Sequence, residues 1–358
     1  MNWAVVMAGG PGTRFWPESR AKRPKPFLRL LGKQTLIEET VRRLQPLFPA
    51  RRILLVIQEI LVKEAKRLLP EIPRENILGE PVGRNTAPCS VWAAAQIERR
   101  DPEAKVVFLP ADQSIRQKSL YLKTLKSALA LARDRPVLLG FRPTSPNPAF
   151  GYLEIRRKGA RRRKRRDPAP FAVFDVIRFC EKPSLPKARQ FLKKGNFFWN
   201  GGTFAWRLDS FKEAVRIHLP SLYRAWDRLG GTVPFSLYRR LPSISLDYGI
   251  MEKMKGAQCL LAPFQWSDLG GWLGLAEFWP RDGGKNRIHG EDRAVPPLLI
   301  RSQGNIVRAN RRLIALLGVE NLVVVDTPDA LLICDRRQTE RIREVVRELE
   351  RRKAIQWI

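Results

Sequence analysis

A phosphate-handling chemistry is legible near the N-terminus. The segment Ala8-Gly9-Gly10-Pro11-Gly12-Thr13-Arg14 follows directly on Trp3-Ala4-Val5-Val6-Met7-Ala8, an apolar run that reads as a buried first strand. Glycines let the backbone approach a phosphate closely and turn successive N–H groups toward it. The pattern is not a dinucleotide fingerprint, because Phe15 stands where the third glycine of G-x-G-x-x-G belongs, and no G-K-[ST] follows to make a P-loop. On the glycines alone, a plain tight turn is as good a reading. Arg14 in the loop and Lys25, held between Pro24 and Pro26, add two cations that could meet the same phosphates.

Carboxylates supply the complementary half. The apolar run Val106–Leu109 ends in Pro110-Ala111-Asp112-Gln113, which puts Asp112 at the ligand edge of a parallel sheet. There it could cap a loop or bind a hard cation such as Mg²⁺, which takes one or two carboxylates plus substrate phosphates. In Glu80-Pro81-Val82-Gly83-Arg84-Asn85-Thr86-Ala87-Pro88, Gly83 suits a turn and Thr86 suits a helix N-cap. Taken singly, Glu181-Lys182 could be a surface pair and Asn200 a turn residue. With only His218 and His289 present, no catalytic triad assembles, so chemistry must rest on carboxylates, Lys, Arg and metal.

The continuation Arg14-Phe15-Trp16-Pro17, then Arg23-Pro24-Lys25-Pro26-Phe27, resembles the sugar-phosphate pyrophosphorylases, whose loop reads G-G-x-G-x-R followed by P-K-P or P-K-Q. The 80–88 string resembles the segment in which the mannose-1-phosphate guanylyltransferases read guanine. Further matches follow in order: Phe150-Gly151-Tyr152, Glu181-Lys182-Pro183, Trp199-Asn200-Gly201-Gly202-Thr203-Phe204, and Trp266-Ser267-Asp268-Leu269-Gly270-Gly271-Trp272.

The resemblance implies that Ala8, Gly9, Gly10, Gly12, Thr13, Arg14, Lys25, Gly83, Arg84, Asn85, Thr86 and Asp112 bind the nucleotide. Arg14, Lys25 and Asp112 would be the catalytic residues, and Asp112 with Asp268 would hold Mg²⁺. Gly151, Glu181, Lys182 and Asn200 would bind the sugar phosphate. The implied partners are GTP and mannose 1-phosphate. Gln113 replaces the family's usual His and Gly201 its Ser, so no role transfers to either. Asp247, in Ser243–Lys253, supports the sugar site at most. Long members of the family append a phosphomannose isomerase domain, and the chain ends at Ile358, so that activity is expected to be absent.

The elements that must position these residues alternate. Ile53–Ile57, Val106–Leu109 and Val137–Gly140 read as buried strands, and Thr86–Arg100 and Ser119–Arg133 as helices. Thr35-Leu36-Ile37-Glu38 is a capping box. Repeated βαβ units imply an α/β fold with a doubly wound, mostly parallel sheet, Rossmann-like as in the family. A Gly- and charge-rich stretch at Arg281–Asn286 marks a boundary, giving a transferase domain at 1–283 and a small β-rich domain at 284–358. Strands are expected there at Asn305–Ala309, Leu313–Leu317, Leu322–Val325 and Ala330–Cys334, followed by a helix at Thr339–Arg352. No internal repeat is evident.

Composition narrows the classes. Hydrophobic residues make up 44% of 358, which is globular, and no apolar run reaches membrane-span length. The N-terminal run lacks a signal peptide's basic flank, and four scattered cysteines argue against a zinc site or disulfide framework, so a cytoplasmic protein is expected. A net charge of +31, with a basic tract at Arg156–Arg166, raises nucleic acid as a partner. The tract lacks interleaved aromatics and reads better as a solvated loop. No pattern reveals the oligomeric state, and a homodimer stays open.

Overall fold

The computed structural model describes residues 1–10, 12–157, 171–290 and 295–358, the Arg157 side chain excepted. Most of the basic tract, from Lys158 onward, therefore lies outside the described residues. Packing divides the chain into two compact units: Met1–Gly9, Val41–Ala111 and Ile115–Gln265 form one, and Gly10–Thr40, Asp112–Ser114 and Trp266–Ile358 form the other. This grouping cuts across the expected segments 1–283 and 284–358, because the loop after the first strand packs with the C-terminal residues.

The first unit is built on a nine-stranded sheet. Its strands are β1 (Asn2–Ala8), β2 (Ile53–Gln58), β3 (Ile77–Glu80), β4 (Lys105–Pro110), β5 (Val137–Phe141), β6 (Tyr152–Arg157), β7 (Val173–Cys180), β8 (Phe197–Arg207) and β9 (Gln258–Leu261). Their spatial order is β3-β2-β1-β4-β8-β5-β9-β7-β6, with β8 also pairing β6. The pairs β3-β2-β1-β4 and β5-β9 are parallel, while β7 and β8 run against the rest. The expected mostly parallel α/β sheet is thus present.

Alternation explains why the strands are apolar throughout. Trp3, Val5, Leu54, Val56, Val106 and Phe108 enter one core with the helices Thr86–Glu98 (α2) and Leu208–His218 (α4). The intervening Ala4, Val6, Leu55, Ile57 and Val107 are also fully buried, so both faces of the sheet are covered. The expected capping box forms at the start of α1 (Leu36–Leu44): Thr35 N donates to Glu38 Oε2 at 2.8 Å and Glu38 N donates to Thr35 Oγ1 at 3.4 Å. Lys118–Leu131 (α3) fills the helix expected at Ser119–Arg133.

In the second unit the C-terminal residues form a parallel coil. Arg287–Gly290 (β10), Ile306–Ala309 (β12), Leu322–Asp326 (β14) and Leu331–Asp335 (β15) make one sheet, in which β10, β12 and β14 are parallel. Leu298–Ile300 (β11) pairs in parallel with Ala315–Leu317 (β13). A repeat therefore exists where the sequence showed none. Its signal is a buried asparagine before each of the first two rungs: Asn305 Nδ2 donates to Asn286 Oδ1 at 3.1 Å, and Leu322 N donates to Asn305 Oδ1 at 2.9 Å. Arg281–Asn286, expected as a boundary, leads straight into the first rung. A turn at Arg336–Arg341 and the helix Ile342–Arg351 (α5) follow.

This unit's core joins Phe15, Trp16, Leu28 and Leu30 to Trp272, Trp279, Ile306, Val323, Val325 and Ile342. No helix of the described residues is long and apolar enough to cross a membrane. All four cysteines are free.

Candidate active site

The second unit gathers the expected phosphate cations and metal carboxylates. Gly12 has φ 64° and opens the short turn Thr13–Phe15. A Cβ there would collide with Lys25 Cβ and come 3.0 Å from its backbone nitrogen, so only glycine lets Lys25 lie against the loop. Around Gly10 there is open space. Lys25 itself is 7% exposed. Its Nζ donates to Asp112 Oδ2 at 2.8 Å and to the Asp268 carbonyl at 2.5 Å, and lies 5.7 Å from the centre of the Phe15 ring. A buried ammonium without such partners would be strongly disfavoured.

Asp268 is held in tension. Burial pushes its carboxyl pKa up, Lys25 and Arg14 pull it back, and Asp112 pushes it up again. The next residue, Leu269, is fully buried at φ 46°, a left-handed conformation that costs a branched side chain energy and clusters at functional turns. That turn sends the Asp268 carbonyl to Lys25 while its carboxylate accepts from Gly270 N. Arg14 pairs with Glu340 at 3.5 Å.

Asp112 keeps 35% of its side chain exposed, so one oxygen meets Lys25 while the other stays open. Among the described residues no three His, Cys, Asp or Glu cluster as a metal cage. The carboxylates of Asp112 and Asp268 beside a buried ammonium are donors of the kind a hard divalent cation takes.

The first unit holds the expected base and sugar residues. Ala8 and Glu80 end β1 and β3 at one sheet edge, where Gln58 Nε2 donates to the Gly9 carbonyl at 3.3 Å. A Cβ on Gly9 would come 2.9 Å from Glu80 Oε2. Glu80 is buried, its Oε1 accepts from the Tyr238 hydroxyl at 2.5 Å, and burial raises its pKa to about 7 against the pull of that bond. Gly83 has open space, and Arg84 donates to the Arg239 carbonyl while its Nε is buried without a partner.

The helix cap is corrected. Asn85, at φ 68° and ψ −174°, caps α2 by accepting from Thr86 N at 2.9 Å, and Thr86 is the first helical residue. Its hydroxyl turns instead to a distant loop, accepting from Leu246 N at 2.8 Å.

Glu181, Lys182, Asn200 and Gly151 come together. Asn200 N donates to the Gly151 carbonyl at 2.8 Å, and a Cβ on Gly151 would come 2.5 Å from Glu181 Oε2. Glu181 Oε1 pairs with Lys182 Nζ at 3.0 Å, while Oε2 is buried without a partner. That oxygen is a buried acceptor left without a donor among the described residues. Burial raises the Glu181 pKa despite Lys182. Burial opposes the charge on Lys182, but Glu181, Asp247 and Tyr248 outweigh it and raise its pKa.

Sequence reasoning gave no firm role to Asp247 and none to Glu252 or Glu80. Asp247 accepts from Asn200 Nδ2 at 3.0 Å, and burial with Glu181 nearby raises its pKa to about 7. It opens a π-helical turn, Asp247–Met251, a form frequent at functional sites. Glu252 Oε1 accepts from Glu181 N at 2.6 Å. The available signal was confined to Asp247, an acidic residue between Leu246 and Tyr248.

Comparison with known proteins gives the family and the fold. Residues 3–281 match the nucleotidyl transferase family, and residues 297–349 match the mannose-phosphate isomerase/GMP-like β-helix domain. The chain is 31% identical to a mannose-1-phosphate guanylyltransferase of Escherichia coli, over 99% of this chain and 75% of that protein. Its fold overlays a solved Thermus thermophilus protein described as a mannose-1-phosphate geranyltransferase. The TM-score is 0.86 at 36% identity, covering 98% and 99% of the two chains. A mannose-6-phosphate isomerase from Helicobacter pylori shares the fold, at TM-score 0.60 and 24% identity over 74% of this chain and 99% of its own. The chain belongs to the mannose-1-phosphate guanylyltransferase family of nucleotidyltransferases.

Proposed function

We propose that this enzyme transfers GMP from GTP to mannose 1-phosphate, giving GDP-mannose and pyrophosphate. A phosphate oxygen of mannose 1-phosphate is the nucleophile. It is already ionised at neutral pH, so no general base is needed, in keeping with two histidines in the whole chain. It attacks the α-phosphorus of GTP; the new P–O bond forms as the bond to the β-phosphate oxygen breaks, and pyrophosphate leaves.

Arg14 and Lys25 hold the triphosphate, with backbone N–H groups of Gly9, Gly10, Gly12 and Thr13 turned to its oxygens. The observation that carries this reading is Lys25: buried, and fixed by Asp112 and the Asp268 carbonyl. Such a preorganised cation stabilises charge developing on the phosphates without reorganising at the moment of reaction. Asp112 and Asp268 would hold Mg²⁺, which would supply positive charge to offset the negative charge developing on the phosphates.

Residues 83–86 read guanine, since a wrong base leaves their polar groups unpaired. Glu181 Oε2 accepts from a sugar hydroxyl, Asn200 and the Gly151 backbone orient the ring, and Lys182 meets the sugar phosphate. GTP and mannose 1-phosphate are the partners, with neither nucleic acid nor a membrane surface required, and free cysteines suit the cytoplasm.

The test crosses four nucleoside triphosphates with mannose 1-phosphate and glucose 1-phosphate in Mg²⁺ and follows pyrophosphate release. Release from GTP and mannose 1-phosphate alone supports the reading. Release from another pair overturns the specificity and keeps the transferase chemistry.

A further inference from the structure

The segment that carries Arg14 is tied to the C-terminal residues of its own compact unit at alternate positions. Arg14 pairs with Glu340 at 3.5 Å, and Trp16 Nε1 donates to the Trp357 carbonyl at 2.8 Å. Glu18 Oε1 accepts from Arg308 Nε at 2.7 Å, and Arg20 pairs with Asp329 at 3.2 Å. These ties are unequal. Glu340 and Asp329 are well exposed, and ion pairs of that kind contribute little.

The Glu18–Arg308 pair is different. The two residues are 6% and 2% exposed. Arg308 lies on β12 of the parallel coil, and its planar guanidinium is engaged on several sides. Nη1 lies 2.5 Å from His289 Nδ1 on the neighbouring strand β10, and Nη2 reaches the Arg29 carbonyl at 3.5 Å. His289 in turn stacks on Trp279, with ring centres 5.1 Å apart.

Arg308 therefore grips the loop on both sides of Lys25, at Glu18 and at Arg29. Glu18 N also donates to the Phe15 carbonyl at 2.9 Å, so Glu18 closes the turn that begins beside Arg14. A buried ion pair gives little net stability over an apolar pair of the same size, and its best use is to fix one geometry. Arginine's rigid fork suits that task better than lysine's single ammonium.

We propose that Arg308 is a positioning residue for nucleotidyl transfer: by binding Glu18 and the Arg29 carbonyl it sets the loop that presents Arg14 and Lys25 to the triphosphate. The parallel coil then serves the reaction directly, as the rigid element against which the phosphate loop is registered. This rests on the assignment of Arg14 and Lys25 above. Arg308, acting through Arg14 and Lys25, is expected to affect turnover and to leave the affinity for mannose 1-phosphate, assigned to Glu181, Lys182 and Asn200, alone.

The experiment measures kcat, both KM values and Tm for the wild type, Arg308→Lys, Glu18→Gln and the double variant Glu18→Met/Arg308→Met. Misplacing a reacting group by about 1 Å costs on the order of a hundredfold. Arg308→Lys is therefore expected to lose about tenfold or more in kcat, with the KM for mannose 1-phosphate within about twofold of wild type. The double variant replaces the pair by apolar side chains and regains Tm, yet kcat stays low. A double variant with wild-type kcat would make the pair merely structural and overturn the proposal. So would an Arg308→Lys enzyme with unchanged kcat, or one whose mannose 1-phosphate KM rises as much as kcat falls. If the double variant does not fold, the kcat-against-KM split of Arg308→Lys and Glu18→Gln decides alone. A wild type inactive with GTP and mannose 1-phosphate would instead overturn the assigned function.

Discussion

The ammonium of Lys25 lies 2.8 Å from Oδ2 of Asp112, so the cation assigned to the triphosphate and a carboxylate assigned to the metal share one hydrogen bond. Neither can be altered without changing the other's charge environment. Lys25→Ala is expected to lower kcat by about 10²–10³, the usual loss when one preorganised charge is removed. The fold should persist, because Asp112 is partly exposed and water can replace the lost partner. Pyrophosphate release and a thermal scan check both statements; a folded Lys25→Ala enzyme with near-normal turnover would contradict the role.

Gly12→Ala should act through the same lysine. The left-handed backbone costs any other residue about 1–2 kcal/mol, and the added methyl displaces Lys25. Turnover should drop by about tenfold or more while Tm falls only a few degrees. An alanine variant with unchanged kcat would show that the contact between Gly12 and Lys25 is dispensable.

Asn85 sits at φ 68° and ψ −174°, a region populated almost only by glycine. Relief of that strain, about 1–3 kcal/mol, outweighs the few tenths lost when glycine replaces asparagine as a cap. Asn85→Gly is therefore expected to raise Tm and, since the proposed function assigns Asn85 to the base, to raise the KM for GTP. A variant that is less stable than wild type, or that binds GTP equally well, would refute this trade of stability for recognition.

Glu80 and Asp247 set a pH dependence whose sign is fixed by burial. Both pKa values are raised to about 7 in the fold, so the folded chain holds more protons than the unfolded chain between the ordinary carboxylate range and neutrality. Stability contributed by these groups therefore falls as pH rises toward about 7. Glu80→Gln keeps an acceptor for Tyr238 and removes the titration. Its unfolding free energy should fall less steeply than that of the wild type between about pH 5 and about pH 8, by an amount on the order of 1–3 kcal/mol. Parallel pH profiles for the two proteins would show that Glu80 stays ionised.

Much of this was legible locally. The Thr35–Glu38 capping box and the strand ending at Ala8 depend on short-range spacing, and short-range rules found them. The cap of α2 was misread because Asn85 adopts a conformation that no propensity favours, which freed the Thr86 hydroxyl for Leu246. The antiparallel strands β7 and β8 are apolar and aromatic along most of their length, so neither period nor polarity announced them. The parallel coil escaped because its rungs are short and its repeat is carried by single asparagines, Asn286 and Asn305, whose meaning appears only when they stack. The grip of Arg308 on Glu18 joins residues 290 apart in sequence and could not be read from either string.

The most direct test incubates the enzyme with GTP, mannose 1-phosphate and Mg²⁺ and identifies the products by mass spectrometry, with Asp112→Asn and a chelator-treated sample alongside. GDP-mannose and pyrophosphate should appear in equal amounts with the wild type. Both should be lost with the chelator, return when Mg²⁺ is restored, and fall by orders of magnitude in Asp112→Asn. Absence of GDP-mannose from the metal-replete wild type, or its undiminished formation by Asp112→Asn, would contradict the assignment of this site.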